Sequence, residues 1–171
     1  MGIEAEPKNW YRDNLLLSTE QRLIQVDSVR EAMDSDVFWW TKASLPREAL
    51  AQALHNSLCF GLYELPQSTS QIAGQGNPRQ IGLMRVVTDN VTFAYLTDVY
   101  VLPEYQGKGL GRWMLRCLDE VVKSWPCLRR VILMTSSRST ELYKDTLGMN
   151  DWIEGPGGLV LGMVRGPAAQ F

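Results

Sequence analysis

The 171-residue chain has one histidine and three cysteines. His55 and the scattered Cys59, Cys117 and Cys127, each thiol set among apolar neighbours, leave too few soft ligands for a zinc site, so no metal is expected. A lone helical histidine is usually a surface or core group, and His55 receives no catalytic assignment. No run of like charge occurs and the formal net charge is −2. The chain therefore lacks an electrostatic footprint for nucleic acid or an anionic membrane. No apolar stretch reaches membrane length, Met1 to Lys8 has no apolar signal core, and Glu6 spoils a myristoylation pattern at Gly2. These absences predict a soluble, cytoplasmic protein with no membrane or nucleic-acid partner.

What is present is enough apolar content, 45% of residues, to build one ordinary core, so residues 1–171 are expected to form a single domain. Ser28 with Glu31 resembles a capping box opening a short helix that ends near Met33, and Ser44 before Pro46 opens a second helix running through Leu54. Both helices are expected to precede any strand. Leu58 to Glu64, Ile81 to Thr88 and Thr92 to Leu102 read as an antiparallel meander, with Thr88 to Asn90 as a tight connection. The polar segment Pro66 to Gln80 reads as a mobile excursion between the first two strands. From Leu110 the apolar residues recur with helical period, Arg130 to Thr135 reads as a buried strand, and Ser139 to Leu147 as a helix stopped by Gly148. Leu159 to Val164 should face Asn150 to Ile153 in a closing hairpin. The order α-α-β-β-β-α-β-α-β-β predicts an α/β (α+β) fold: a mixed, mostly antiparallel central sheet flanked by helices, with one right-handed crossover between the third and fourth strands.

The segment "YVLPEYQGKGLGRWML", Tyr100 to Leu115, lies on that crossover. It places three glycines at alternate positions between a strand and a helix. Backbone amides gathered at a helix start, backed by the positive end of the helix dipole, suit an anion such as phosphate. Lys108 and Arg112 add positive charge. A Walker loop is excluded because Gly109 follows Lys108 where Ser or Thr is required. A dinucleotide fingerprint is excluded because Arg112 stands in place of its third glycine. A plain flexible turn before an ordinary helix is the remaining alternative.

"DVYVLPEYQGKGLGRWML" resembles the acetyl-coenzyme A binding motif of the GNAT superfamily of N-acetyltransferases: a strand, then Q/R-x-x-G-x-G/A, then a helix. Gln106, Gly109 and Gly111 match it, and "SRSTELYKDTLGM" resembles the family's segment with a helical tyrosine. The resemblance implies acetyl-CoA as cosubstrate. It further implies that Gln106 and the backbone of Gly107, Lys108, Gly109, Leu110, Gly111 and Arg112 hold the pyrophosphate, and that Val99, Val101 and Leu102 pair with the pantetheine arm as an added strand would. Ser137 and Ser139 occupy the region where many relatives carry a cofactor-touching asparagine.

An amine attacks a thioester only when unprotonated, so a proton acceptor near the cofactor would help. Asp98, read as sharing a face with Leu96 and Tyr100 among apolar residues, has two roles open to it: general base, or structural brace of the sheet. Departure of the thiolate is aided by a hydroxyl donor. By resemblance that donor is Tyr143, although "LYKDTLG" carries one residue more than the family spacing; packing beside Leu142 and Leu147 is its alternative role. No cysteine sits where an acyl-enzyme is expected, which implies direct transfer in a ternary complex.

For the acceptor, Phe38, Trp39 and Trp40, with Tyr100, could form an aromatic slot or could plug the core, and Asp34 or Asp36 could attract a cationic amine. A small-molecule primary amine is expected ahead of a protein or peptide amine. A catalytically silent acyl-CoA sensor and a purely structural domain are the readings from other classes, and a homodimer is possible by family habit.

Overall fold

The structure is a computed structural model, and it describes residues 6–41, 45–67 and 77–169. Ser44 and the tip of the expected excursion, residues 68–76, lie outside the described residues. The chain opens on a hairpin of β1 (Asn9–Arg12) and β2 (Leu15–Ser18), paired Trp10 to Leu17 and Arg12 to Leu15. This corrects the expectation that helices precede every strand. Each strand has only four residues, and the Leu15-Leu16-Leu17 run shows no alternation because all four residues of β2 are buried. The available signal was the Asp13-Asn14 pair, turn-forming residues of which Asp13 takes φ 53°.

Helix α1 (Val26–Met33) starts one turn earlier than a cap at Ser28 would put it. The Ser28 hydroxyl donates to Gln25 Oε1 at 3.3 Å, and Gln25 exchanges two hydrogen bonds with Gln80: its N–H reaches Gln80 Oε1 at 2.7 Å, and the Gln80 N–H reaches Gln25 Oε1 at 3.1 Å. A long-range amide pair therefore fixes this helix start, where a local capping box was expected. Helix α2 (Arg47–His55) follows.

The meander is β3 (Leu58–Glu64), β4 (Arg79–Thr88) and β5 (Phe93–Val101), and α3 (Leu110–Lys123) then carries the chain to β6 (Arg130–Ser136), parallel to β5. Helix α4 (Thr140–Leu147) ends on Gly148 at φ 66°, and β7 (Asp151–Glu154) and β8 (Leu159–Arg165) form the last hairpin. The described strands make one sheet in the order β1-β2-β3-β4-β5-β6-β8-β7. The expected mixed, mostly antiparallel sheet is what forms.

The sheet separates two apolar layers. Leu110, Met114, Leu118 and Val121 of α3 and Leu147 of α4 pack with Phe60, Met84, Val86 and Leu96 on one face. On the other, Val29 and Ala32 of α1 and Leu50 and Leu54 of α2 pack with Cys59, Leu83 and Tyr100. Burying each large apolar side chain contributes about 1.5–3 kcal/mol as an upper estimate, so α3, with seven buried residues, is firmly seated. The hairpin β1–β2 is tied to the same helix: Trp10 stacks on Phe60 at 5.9 Å, and its indole N–H donates to Glu120 at 3.2 Å.

Candidate active site

Strand β5 pairs with β6 only from Phe93 to Leu96. Beyond Leu133, β6 continues against β8 alone, so β5 and β6 part and leave a cleft at the C-terminal half of β5. The divergence coincides with an irregularity on the other side of β5. Its register with β4 shifts between Arg85↔Thr97 and Leu83↔Tyr100, and Asp98 within the shift has φ 49°. One extra residue in a strand resets which side chains share a face. Ala94 and Leu96 lie in the α3 layer, Tyr100 lies in the α1–α2 layer, and Val101 returns to the α3 layer. The expectation that Leu96, Asp98 and Tyr100 share a face is corrected: simple alternation does not survive the bulge.

Asp98 also has a partner the sequence did not suggest. Its carboxylate accepts from Arg85 Nε at 2.6 Å, both side chains are largely buried, and Arg85 Nη1 donates to the Ser57 hydroxyl at 3.3 Å. The surroundings are thus ionic on one side, not the wholly apolar ones that the neighbouring residues implied.

Past the bulge the pairing is regular. The Leu102 N–H donates to Ile81 O at 2.8 Å, which makes Gly82 and Val101 a non-hydrogen-bonded pair and turns the Val101 amide away from β4, toward the cleft. The Leu102 amide is thereby engaged within the sheet. Val99 packs half-buried against the α3 layer. Gln106 folds its side chain back and donates to Val101 O at 2.8 Å, joining the loop to the end of the strand.

The glycine loop has the form its composition implied. Gly107 and Gly109 take φ 76° and 72°, values that disfavour any side chain, and Gly109 caps α3. A Cβ at 107, 109 or 111 would meet nothing within 4 Å, so this surface is open. The first intrahelical bond runs from the Trp113 N–H to Gly109 O, which leaves the amides of Leu110, Gly111 and Arg112 without helical acceptors, and no acidic residue occupies the first turn. This open, donor-rich turn fits a pyrophosphate. Arg112 lies 3.4 Å from Asp145, and the Lys108 ammonium sits 5.3 Å above the Tyr105 ring. Arg12, unremarked in the sequence, crosses from β1 to donate to Lys108 O at 3.4 Å and lies over Trp113.

Tyr143 is buried on α4 within the α3-side layer. Burial pushes its phenol above the ordinary tyrosine value, and a hydrogen bond with Thr135 opposes the shift. Ser137 and Ser139 bound the 3-10 turn between β6 and α4, with Ser137 exposed and Ser139 half-buried.

Phe38 and Tyr100 contact each other at 5.2 Å and are core residues, whereas Trp39 and Trp40 are exposed and meet edge to face at 5.7 Å. None of the four lines the well-formed cavity beside α1. That cavity, about 570 Å³, lies between α1 and the chain following β5, and its walls include Ser28, Glu31, Asp36, Gln80, Glu104 and Gln106. Arg79, also in the wall, is paired with Glu104 at 3.1 Å, so Glu31 and Asp36 leave the cavity negative. Asp36 was anticipated. Glu31 and Glu104 were not, because they lie 73 positions apart and meet only through the fold.

A glycine turn capping a helix, beside parted parallel strands, matches the arrangement expected of an acyl-CoA-dependent transferase. Residues 29–149 match the family model described as Acetyltransferase (GNAT) family, and the chain belongs to that family. It is an N-acetyltransferase, and the family uses acetyl-CoA. A candidate acetyltransferase of Gibberella zeae is 46% identical over 176 residues, covering 97% of each chain. A thialysine N-epsilon-acetyltransferase of Bos taurus is 40% identical over 65 residues, 37% of this chain and 38% of its own. Among solved structures, a candidate GNAT-family acetyltransferase from Xanthomonas campestris superposes with TM-score 0.60 at 28% identity, over 82% of this chain and 87% of the other.

Proposed function

We propose that the protein acetylates a small-molecule primary amine, with acetyl-CoA and amine bound together and the amine attacking directly. The observation that carries the choice of acceptor is the acid-walled cavity bordering the motif loop, whose Glu31 and Asp36 carboxylates suit a cationic amine. The similarity to a thialysine N-epsilon-acetyltransferase supports the same class of acceptor. When bound, acetyl-CoA supplies an activated acetyl thioester. The amides of the Gly107 to Arg112 turn hold the pyrophosphate, and the Val101 amide, facing the cleft, polarises the thioester carbonyl. A C–N bond forms as the C–S bond breaks. The proton lost by the amine passes to water in the cavity, and Tyr143 gives its phenolic proton to the departing thiolate before recovering one from solvent.

A thiol-release screen over polyamines, arylalkylamines, amino sugars, amino acids and short peptides tests this reading. Small cationic amines should respond, and Asp36→Asn should raise KM for the amine about tenfold while leaving KM for acetyl-CoA unchanged. Turnover confined to peptides, or an unchanged amine KM in Asp36→Asn, would contradict the reading.

A further inference from the structure

Asp98 is a non-glycine residue held left-handed within a strand. That conformation is disfavoured for an L-residue because Cβ crowds the following carbonyl oxygen, and aspartate is among the few side chains that tolerate it. Such a residue persists when its surroundings over-determine it. Here the surroundings are specific: Arg85 Nε lies 2.6 Å from Asp98 Oδ2, and Ser57 braces the same guanidinium.

We propose that the Arg85–Asp98 ion pair pins the bulge of β5 and thereby keeps the cleft between β5 and β6 open for the pantetheine arm of acetyl-CoA. Asp98 is then a positioning residue, and the proton acceptor lies elsewhere. The inference rests on the proposed use of the cleft by acetyl-CoA.

If Asp98 relaxed to extended φ, the extra residue would be absorbed and every side chain beyond it would change face. Tyr100 would leave Phe38 and Leu83 for the α3 layer, where Val101 now sits, and the Val101 amide would turn back toward β4. Regular extension would also let β5 follow β6 beyond Leu96. A glycine at 98 would accept the backbone angle but could not reach Arg85; the aspartate does both. Arg85 is well placed for this task, since it pairs directly with Thr97 at the edge of the register shift.

The test is calorimetric titration of CoA into the parent and four variants, with the pH dependence of turnover measured alongside. Asp98→Asn keeps tolerance of the left-handed region and an acceptor for Arg85, so it should bind CoA within about threefold of the parent and retain the parent's pH-rate profile. Asp98→Ala and Arg85→Leu should each weaken CoA binding about tenfold or more, and combining them should cost no more than either alone, because both remove one pin. Asp98→Gly should fall between Asn and Ala. Should the alanine variant fail to fold, as thermal unfolding would reveal, the Asn and Gly variants decide the matter by the same ranking. Parent-like CoA affinity in both Asp98→Ala and Arg85→Leu overturns the pin. Normal CoA binding in Asp98→Asn with lost turnover and a lost acidic limb also overturns it, by making Asp98 the base. A parent that binds no CoA sinks the proposed function itself, together with this inference.

Discussion

The side-chain amide of Gln106 donates to the carbonyl of Val101 at 2.8 Å, closing the chain between the end of β5 and the glycine turn into a compact corner. The bond fixes where the turn's amides sit relative to the cleft. Gln106→Leu removes an interaction contributing about 1 kcal/mol, so KM for acetyl-CoA should rise several-fold with kcat nearly unchanged. Steady-state kinetics varying acetyl-CoA at saturating amine checks this, and a fall in kcat alone would contradict it.

Gly111 separates stability from binding. It lies in the first turn of α3 without positive φ and with no atom within 4 Å of an added Cβ. Gly111→Ala should therefore stabilise the apo protein by roughly 0.5–1 kcal/mol through helix propensity while weakening CoA, because the methyl group covers amides that phosphate approaches. Denaturant unfolding and calorimetry on one sample measure both effects.

Tyr143 combines a buried phenol with a raised proton affinity, so it remains a protonated donor well into the alkaline range. Tyr143→Phe should lower kcat about 10²-fold with little change in either KM, within the usual range for a lost general acid. The parent's kcat should hold constant to above pH ~10, the ordinary tyrosine value, and the variant's profile should lack that alkaline limb. An unchanged kcat would leave Tyr143 as a packing residue.

The turn between β4 and β5 depends on one carboxylate. Asp89 accepts from the amides of Val91, Thr92 and Phe93 and from the Thr92 hydroxyl, at 2.6 to 3.1 Å. Its carboxyl is held well below the usual aspartate range, first by the Thr92 side-chain hydrogen bond and then by the backbone donors. A depressed folded value means the contribution is complete above the unfolded value and fades as pH falls through the folded one. Asp89→Ala should thus unfold more readily than the parent at pH 7, and the gap should narrow only under strongly acidic conditions.

The sequence exposed those features that depend on local periodicity or turn chemistry. The buried Leu110, Met114, Cys117, Leu118 and Val121 of α3, the glycine turn and the run Leu58 to Glu64 occur where the pattern placed them. Features that depend on distant partners were hidden. The start of α1 is decided by Gln80, more than fifty positions from Gln25. The first hairpin was missed because β2, buried at every position, does not alternate. A single left-handed residue at Asp98 reset the parity of β5, so reading faces through it misplaced Tyr100. Phe38 and Tyr100 satisfy one another in the core, whereas the acidic wall of the cavity assembles from α1, the turn after it and the loop after β5.

The most direct test is isothermal titration of acetyl-CoA into the intact protein, followed on the same sample by thiol release with the amine panel. Saturable one-site binding, then thiol release that requires a small cationic amine, is the predicted result. No heat of binding, with no thiol released by any amine, would contradict the account.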